Sequence, residues 1–248
     1  MRAIAINVGA NTSLPGFRGP IYPDGRFVYV PIPEREPTRV PVPTYDDLDL
    51  PIEIPDAHLD TQIHLDPSFA EYPLCRGYTY GDEHGVKAGP LASLSAGDYV
   101  FFYATLTTVA AGSATAGERS TAAPVDAVDW IAPEWGAYLI GHFELATDPV
   151  TGEEYAALSP TDRERFADNA HVKRETVDAR VLLDGDPAGS RLYDVAVPLS
   201  SPEAGSEPNW VVTELSEDSG KGPWWRRPLR FDDAATLLEL ATEGVQRG

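Results

Sequence analysis

Cysteine is almost missing from this 248-residue chain: Cys75 stands alone, which excludes an intramolecular disulfide framework and a cysteine-built zinc finger. Lysine is nearly as scarce, with Lys87, Lys173 and Lys221 the only three among nineteen basic residues. Against those nineteen stand 39 Asp and Glu, for a formal net charge of −20. That balance argues against a protein that coats nucleic acid through its phosphates. No apolar run approaches the roughly 18 residues a membrane-spanning helix needs, so no membrane partner is expected. The stretch Met1–Gly9 turns polar too soon for a signal peptide and reads as a first strand. Neither G-x-x-x-x-G-K-[ST] nor G-x-G-x-x-G occurs, which removes the two strongest phosphate-binding signatures. A soluble cytoplasmic protein is the expectation.

What is present suffices for a core. Hydrophobic residues make up 42% of the chain, with five Trp, eleven Tyr and eight Phe, so a disordered acidic chain is excluded. The acids are dispersed rather than gathered into a tail. Dispersed acid with little lysine is the surface expected of a halophilic archaeon's protein, because at about 1 M salt the Debye length is only about 3 Å and self-repulsion fades. In that setting a nucleotide would be held by stacking, hydrogen bonds and shape.

Twenty-three prolines and twenty-one glycines punctuate many short apolar runs. This predicts an α+β single domain over residues 1–248, built on a mixed, mostly antiparallel sheet or partial barrel with few helices and long loops. Strands are predicted at about 2–8, 26–32, 99–107, 136–144, 178–183, 193–197 and 209–214. One helix should start at the Ser159-Pro160-Thr161-Asp162 cap and run to about Asn169, and another should occupy about 232–245. Seven prolines between Pro31 and Pro55 predict an extended surface arm. The small polar run at 110–123 predicts a flexible loop.

Four segments carry candidate chemistry. The first strand runs into Gly9-Ala10-Asn11-Thr12-Ser13, whose exposed backbone and polar side chains suit a phosphate or sugar, or merely a polar loop with a Pro-Asp-Gly turn at 23–25. His58-Leu59-Asp60 and His64-Leu65-Asp66 repeat a unit whose four polar residues would share one face of a strand and could ligate a divalent ion, although solvated surface is the plainer reading. Asn169-Ala170-His171-Val172-Lys173-Arg174 closes the predicted first helix, with His171 able to move protons near neutral pH or simply to face the helix dipole. Lys221–Arg230 is the one basic patch, and Trp225 with Arg226 could stack on a base or close the core.

Taken in order, Gly9-Ala10-Asn11-Thr12-Ser13, the block from Arg18 to Glu34, Asp66-Pro67-x-Phe69, Thr79-Tyr80-Gly81-Asp82, Gly97-Asp98 before Phe101-Phe102-Tyr103, Tyr138-x-Ile140-Gly141 and Asn169-Ala170-His171 resemble the third of the nucleotide-modification-associated domains. The resemblance spans most of residues 1–230 and implies a role around nucleotides or modified bases, free or in DNA. A likeness to the base-holding PUA-like and EVE-like barrels rests on fold-level analogy alone. On this reading the pocket combines Asn11, Thr12, Tyr80, Asn169, Arg174, Trp225 and Arg226 as ligand-binding residues. His171 is the expected proton-transfer group, with Asp24 or Asp82 as carboxylate partner and Arg174 for an anionic group. No metal is assigned and the cofactor is left open. Two other classes remain: a non-catalytic reader with an aromatic-walled slot, and a metal-dependent hydrolase at His58, Asp60, His64 and Asp66.

Overall fold

The computed structural model describes residues 1–109, 129–217 and 222–243. The loop predicted at 110–123 and Lys221 lie outside them. Eleven strands run in chain order: β1 Ala3–Asn7, β2 Pro20–Ile21, β3 Ile32–Pro33, β4 Ile63–His64, β5 Thr79–Asp82, β6 Tyr99–Thr108, β7 Trp135–Glu144, β8 Val150–Thr151, β9 Val181–Asp184, β10 Arg191–Pro198 and β11 Leu229–Phe231. Six helices accompany them: α1 Gly85–Leu91, α2 Gly152–Ala157, α3 Pro160–Glu164, α4 Ala170–Lys173, α5 Trp210–Leu215 and α6 Ala235–Glu243. The main sheet is ordered β10-β7-β6-β1-β11, with β2 paired to β6. β1 and β2 run parallel to β6, and the remaining pairs are antiparallel. A second, three-stranded antiparallel sheet is ordered β5-β9-β8. This is the mixed, mostly antiparallel α+β arrangement expected, and the sheet path ends at β10 and β11 without closing into a barrel.

Strand period explains the layers. In β1, Ile4 and Ile6 face one core while Ala3 and Ala5 face the other. In β6, Val100, Phe102, Ala104 and Leu106 face the first, and Tyr99, Phe101 and Tyr103 the second. Because successive side chains point to opposite faces, an unbroken apolar run means a sheet covered on both sides. Val211 and Val212 of α5 and Leu237 of α6 cover the second face. The first face is covered by the long 17–72 connection and by α1, through Phe17, Tyr45, Phe69 and Leu91.

Three expectations need correction. Residues 209–214 hold the β-branched run Val211-Val212-Thr213 and read as a strand, yet 210–215 form α5, because the Asn209 side chain accepts from the Val211 amide and turns two valines onto the sheet. A cap and a burial site override intrinsic β-propensity here. Residues 26–31 pair only at isolated bridges, Arg26 with Val195 and Phe27 with Ile21, and Ile32 opens the two-residue β3, paired with β4. Pro31 and Pro33 remove donors a ladder would need. The helix predicted from Ser159 to Asn169 has the expected cap but stops at Glu164, and Asn169 opens α4 instead of closing a helix. The proline-rich segment predicted as a surface arm is stitched down: Tyr45 is buried and donates to the Pro31 carbonyl, and the Arg39 amide bonds the Lys173 carbonyl.

His142 on β7 is buried against Phe101, and its Nδ1 lies 2.7 Å from the Tyr193 hydroxyl. Burial, reinforced by the nearby Arg191 charge, lowers its pKa to about 4. The folded state therefore binds a proton less readily than the unfolded chain. Stability from this group is full above its ordinary pKa near 6.5 and is lost as pH falls toward 4. Between pH 7.5 and 5 the parent is expected to lose about 2 kcal/mol that His142→Gln retains. Denaturant unfolding of both proteins across that range measures the difference; parallel curves would remove His142 as an acid-sensitive element.

Candidate functional site

A cleft of about 210 Å³ opens where the end of β1, the β5 strand and α4 approach one another. Segments 7–14, 80–87 and 171–174, distant in sequence, all contribute to its wall, together with His64 and Asp66. The local sequence explains each approach. Gly9 adopts φ +79°, and a Cβ there would stand 2.9 Å from the Tyr29 ring. At Gly81 a Cβ would meet His171 Cδ2 at 2.7 Å, so β5 lies against the histidine only because it carries glycine there.

Asn169, fully buried, assembles much of the floor. Its Oδ1 accepts from the His171 amide and so caps α4, while its Nδ2 donates to Asp66 Oδ1 at 3.2 Å. His171 and Arg174, three residues apart, leave this short helix on the same side. Asp66 accepts the Gly81 amide at 2.9 and 3.1 Å through its two oxygens.

Two buried histidines meet over Asp66. His64 Nδ1 lies 2.6 Å from Glu34 Oε2 and its Nε2 lies 3.7 Å from Asp66 Oδ2. His171 Nδ1 lies 2.8 Å from Asp178 Oδ1 and its Nε2 lies 3.4 Å from the same Asp66 oxygen. The rings stand edge to face with centroids 4.8 Å apart. Burial works to lower the His64 pKa, but Asp66 and Glu34 outweigh it and raise it to about 9. Burial likewise opposes ionisation of Glu34, yet the His64 and Arg174 hydrogen bonds hold its pKa at about 2. Asp178 is held well below the usual carboxylate range, its partial burial being outweighed by His171, Glu83 and Arg174.

Arg174 is the hub of this wall. Its Nη2 and Nε donate to Glu34 Oε1 at 2.9 and 3.1 Å, and its Nη1 lies 2.5 Å from both Glu83 and Asp178. The guanidinium expected to fork onto a ligand thus forks onto the protein's own carboxylates. On the opposite side Tyr80, fully buried, donates to Asp82 Oδ2 at 2.7 Å, and burial with the neighbouring Asp82 charge keeps the phenol protonated. Lys87 reaches from α1 to the Asn7 carbonyl at 2.9 Å and to Asp82 at 3.6 Å. Asn7 Nδ2 is buried with no hydrogen-bond partner.

Of the residues singled out from sequence, Asn11, Tyr80, Asp82, His171 and Arg174 line the cleft, with Asn169 directly behind it. Asn11 Oδ1 is engaged by the Ser13 amide, closing the loop after β1. Thr12 is exposed and does not line the cleft. Asp24 lies outside it as well, accepting from the Arg26 amide and guanidinium in an exposed turn. The Trp225 ring packs on Trp135 and Trp224 at the edge of the second core. Exposed Arg226 reaches Ser13 Oγ at 3.4 Å, which tethers the loop without entering the cleft. The face proposed to join His58, Asp60, His64 and Asp66 does not form. His58 ends a 3-10 turn and packs on Phe17, and Asp60 is exposed, so strand alternation holds only from Ile63 onward. Glu83, which no local spacing pointed to, joins the lining, and Glu34 and Asp178 stand behind it on Arg174. Glu34 was visible only as the last residue of the stretch from Arg18 to Glu34.

Among the described residues, five carboxylates, Glu34, Asp66, Asp82, Glu83 and Asp178, thus face two basic side chains, Arg174 and Lys87, across two histidines. Closely spaced titratable groups of opposing demand, in a cleft on a sheet scaffold, define a protein whose site is equipped for acid–base or cation-assisted chemistry. The chain belongs to the nucleotide modification associated domain 3 family, whose model matches residues 2–245. It is therefore associated with nucleotide modification, as the quoted motifs implied. No curated protein and no solved structure matches it. Among the described residues, no helix is long and apolar enough to cross a membrane.

Proposed function

We propose that this protein is an enzyme acting on the base portion of a nucleotide, free or in DNA, in the cleft between β1, β5 and α4. The observation that carries the reading is the convergence of His64 and His171 on Asp66 in a cleft that Asp82 also lines. Base transformation requires titratable groups to converge, whereas a reader needs an aromatic-walled slot. Among the described residues, Tyr80 is the one aromatic carbocycle lining this cleft, and its hydroxyl donates to Asp82.

The polarity of the wall favours the base over the phosphate. A surplus of carboxylates repels phosphate oxygens but accepts from the amino and imino groups of a base edge. Asn7 Nδ2 supplies an unpartnered donor suited to a base carbonyl. Arg174 serves as a positioning residue that holds Glu34, Glu83 and Asp178 in place. His171, oriented by Asp178 through Nδ1, is the proton-transfer group, and Asp82 is a carboxylate that can accept from the ligand.

The test is a screen of nucleotides, nucleosides and modified nucleosides in molar KCl, with mass-spectrometric detection of conversion and thermal shift for binding. The parent is expected to convert at least one base-bearing ligand. His171→Ala is expected to bind that ligand and to convert it about 10²–10⁴-fold more slowly, the usual worth of a positioned acid or base. Ligand binding by the parent with no conversion would make the protein a reader, and undiminished turnover by His171→Ala would reduce that histidine to a structural part.

A further inference from the structure

The two histidines share a feature that proton transfer alone does not require: their Nε2 atoms aim at one oxygen. His64 Nε2 lies 3.7 Å and His171 Nε2 3.4 Å from Asp66 Oδ2. We infer that His64, Asp66 and His171 bind one divalent first-row transition-metal ion through the two imidazole Nε2 atoms and the Asp66 carboxylate. As the cofactor of the same cleft, the ion rests on the enzymatic reading given above and deepens it, with His171 then serving as a ligand and proton transfer falling to Asp82.

The hydrogen bonds behind the rings point the same way. A neutral imidazole has one N–H, and each ring has a carboxylate at Nδ1: Glu34 at 2.6 Å for His64 and Asp178 at 2.8 Å for His171. With those N–H groups donated, an ion that displaces the proton held on His64 between Glu34 and Asp66 meets two nitrogen lone pairs and a carboxylate oxygen. Three ligand atoms converging in this way suit a divalent cation. Protonating both Nε2 atoms instead would bring two imidazolium rings to a centroid distance of 4.8 Å, where like charges oppose each other. Carboxylate–histidine–metal relays are the usual means of fixing a ligating ring, and both histidines have one. Asp66 is fixed in turn by the Gly81 amide and by Asn169 Nδ2.

Spacing and charge agree. Two ligands bound about 2.1 Å from one tetrahedral ion stand about 3.4 Å apart, and the separations from Asp66 are 3.4 and 3.7 Å. One ligating atom from each of the three residues lies within 4.8 Å of the others. The ion would also offset part of the carboxylate surplus around Arg174 and Lys87. Two imidazoles with one carboxylate favour zinc, iron or a similar ion over magnesium or calcium, which prefer all-oxygen shells. Three protein ligands leave positions open toward the cleft, which all three residues line. There a bound water or base oxygen would meet a Lewis acid.

The experiment uses the full chain, freed of metal by dialysis against a chelator and titrated in molar KCl. Cobalt(II) is followed by its visible absorption, and zinc(II) by competition with a chromophoric chelator. One ion per chain is expected, with affinity falling about 100-fold or more in His64→Gln and His171→Gln. Asp178→Asn, which leaves all three ligands in place, should bind one ion about 10–100-fold more weakly. Asp60→Asn, exposed and outside the cleft, should bind as the parent does. Circular dichroism monitors folding. Should the glutamine variants not fold, Asp66→Asn, whose amide oxygen still accepts from Gly81, decides in their place by losing the cobalt spectrum. A folded parent that takes up no ion, or variants that bind as tightly as the parent, would overturn the inference. Base conversion that survives complete chelation would overturn it too while leaving the enzyme intact. Ion binding with no conversion of any ligand would sustain the site and remove the enzymatic reading.

Discussion

Replacing Arg174 by alanine is expected to lower the free energy of unfolding by about 3 kcal/mol, the lower end of what breaking a buried ion pair costs. The side chain is 8% exposed and its partner Glu34 only 2%, so a carboxylate would be left buried without the guanidinium. The loss should not exceed that lower end, because His64 Nδ1 and the Arg35 and Glu36 amides still hold Glu34. Glu83 and Asp178 add little to the total, being about one-third exposed and therefore screened by water. Arg174→Lys should restore only part of the stability, since an ammonium cannot serve Glu34, Glu83 and Asp178 at once through a planar fork. Denaturant unfolding of the three proteins in the same molar KCl provides the measurement. A loss below about 1 kcal/mol for Arg174→Ala would mean that the carboxylate wall holds itself together without its hub.

Salt should have an effect of similar size on the whole chain. A net charge of −20 on 248 residues is self-repulsive at about 0.01 M salt, where the Debye length is about 30 Å, and largely screened at about 1 M, where it is about 3 Å. A few kcal/mol of relieved repulsion corresponds to a shift on the order of 10 °C in a chain of this size. The melting temperature is therefore expected to rise by at least that much between dilute buffer and molar KCl. The buried pairs around Arg174 are screened less than surface charges, so the rise should persist in Arg174→Ala. An unchanged melting temperature would overturn the halophilic reading of the composition.

How much of this was legible in one dimension differs between scaffold and site. The alternating Ala3-Ile4-Ala5-Ile6 and the apolar runs at about 99–107 and 136–144 announce strands, and the structure has β1, β6 and β7 there, within a residue or so at each end. The Ser159 cap was readable because capping is a local exchange between a side chain and an amide two or three residues on. The same locality misled at Trp210-Val211-Val212, where β-branched residues suit a strand. The Asn209 cap and the uncovered face of the sheet decided for a helix.

The amino-acid sequence by itself determined the α+β class, the central strands, the absence of a disulfide framework and the family, because period, composition and ordered motifs are properties of neighbours along the chain. It also marked His171, Asn169, Tyr80 and Asp82 as candidate site residues, by residue type and motif. Only the tertiary structure decided what they face. Glu34 and Arg174 are 140 residues apart and Asn169 and Asp66 are 103 apart, so no spacing rule connects either pair. Whether a carboxylate meets a guanidinium, an imidazole or water depends on how the sheets pack. The same holds for Asp24 and Trp225, whose residue types fit a site but whose backbone positions carry them elsewhere. A cleft wall made from five separate stretches of chain exists only after long-range packing has paid its entropy of closure, and that packing is what turned His64, left among surface residues by its local sequence, into the partner of His171.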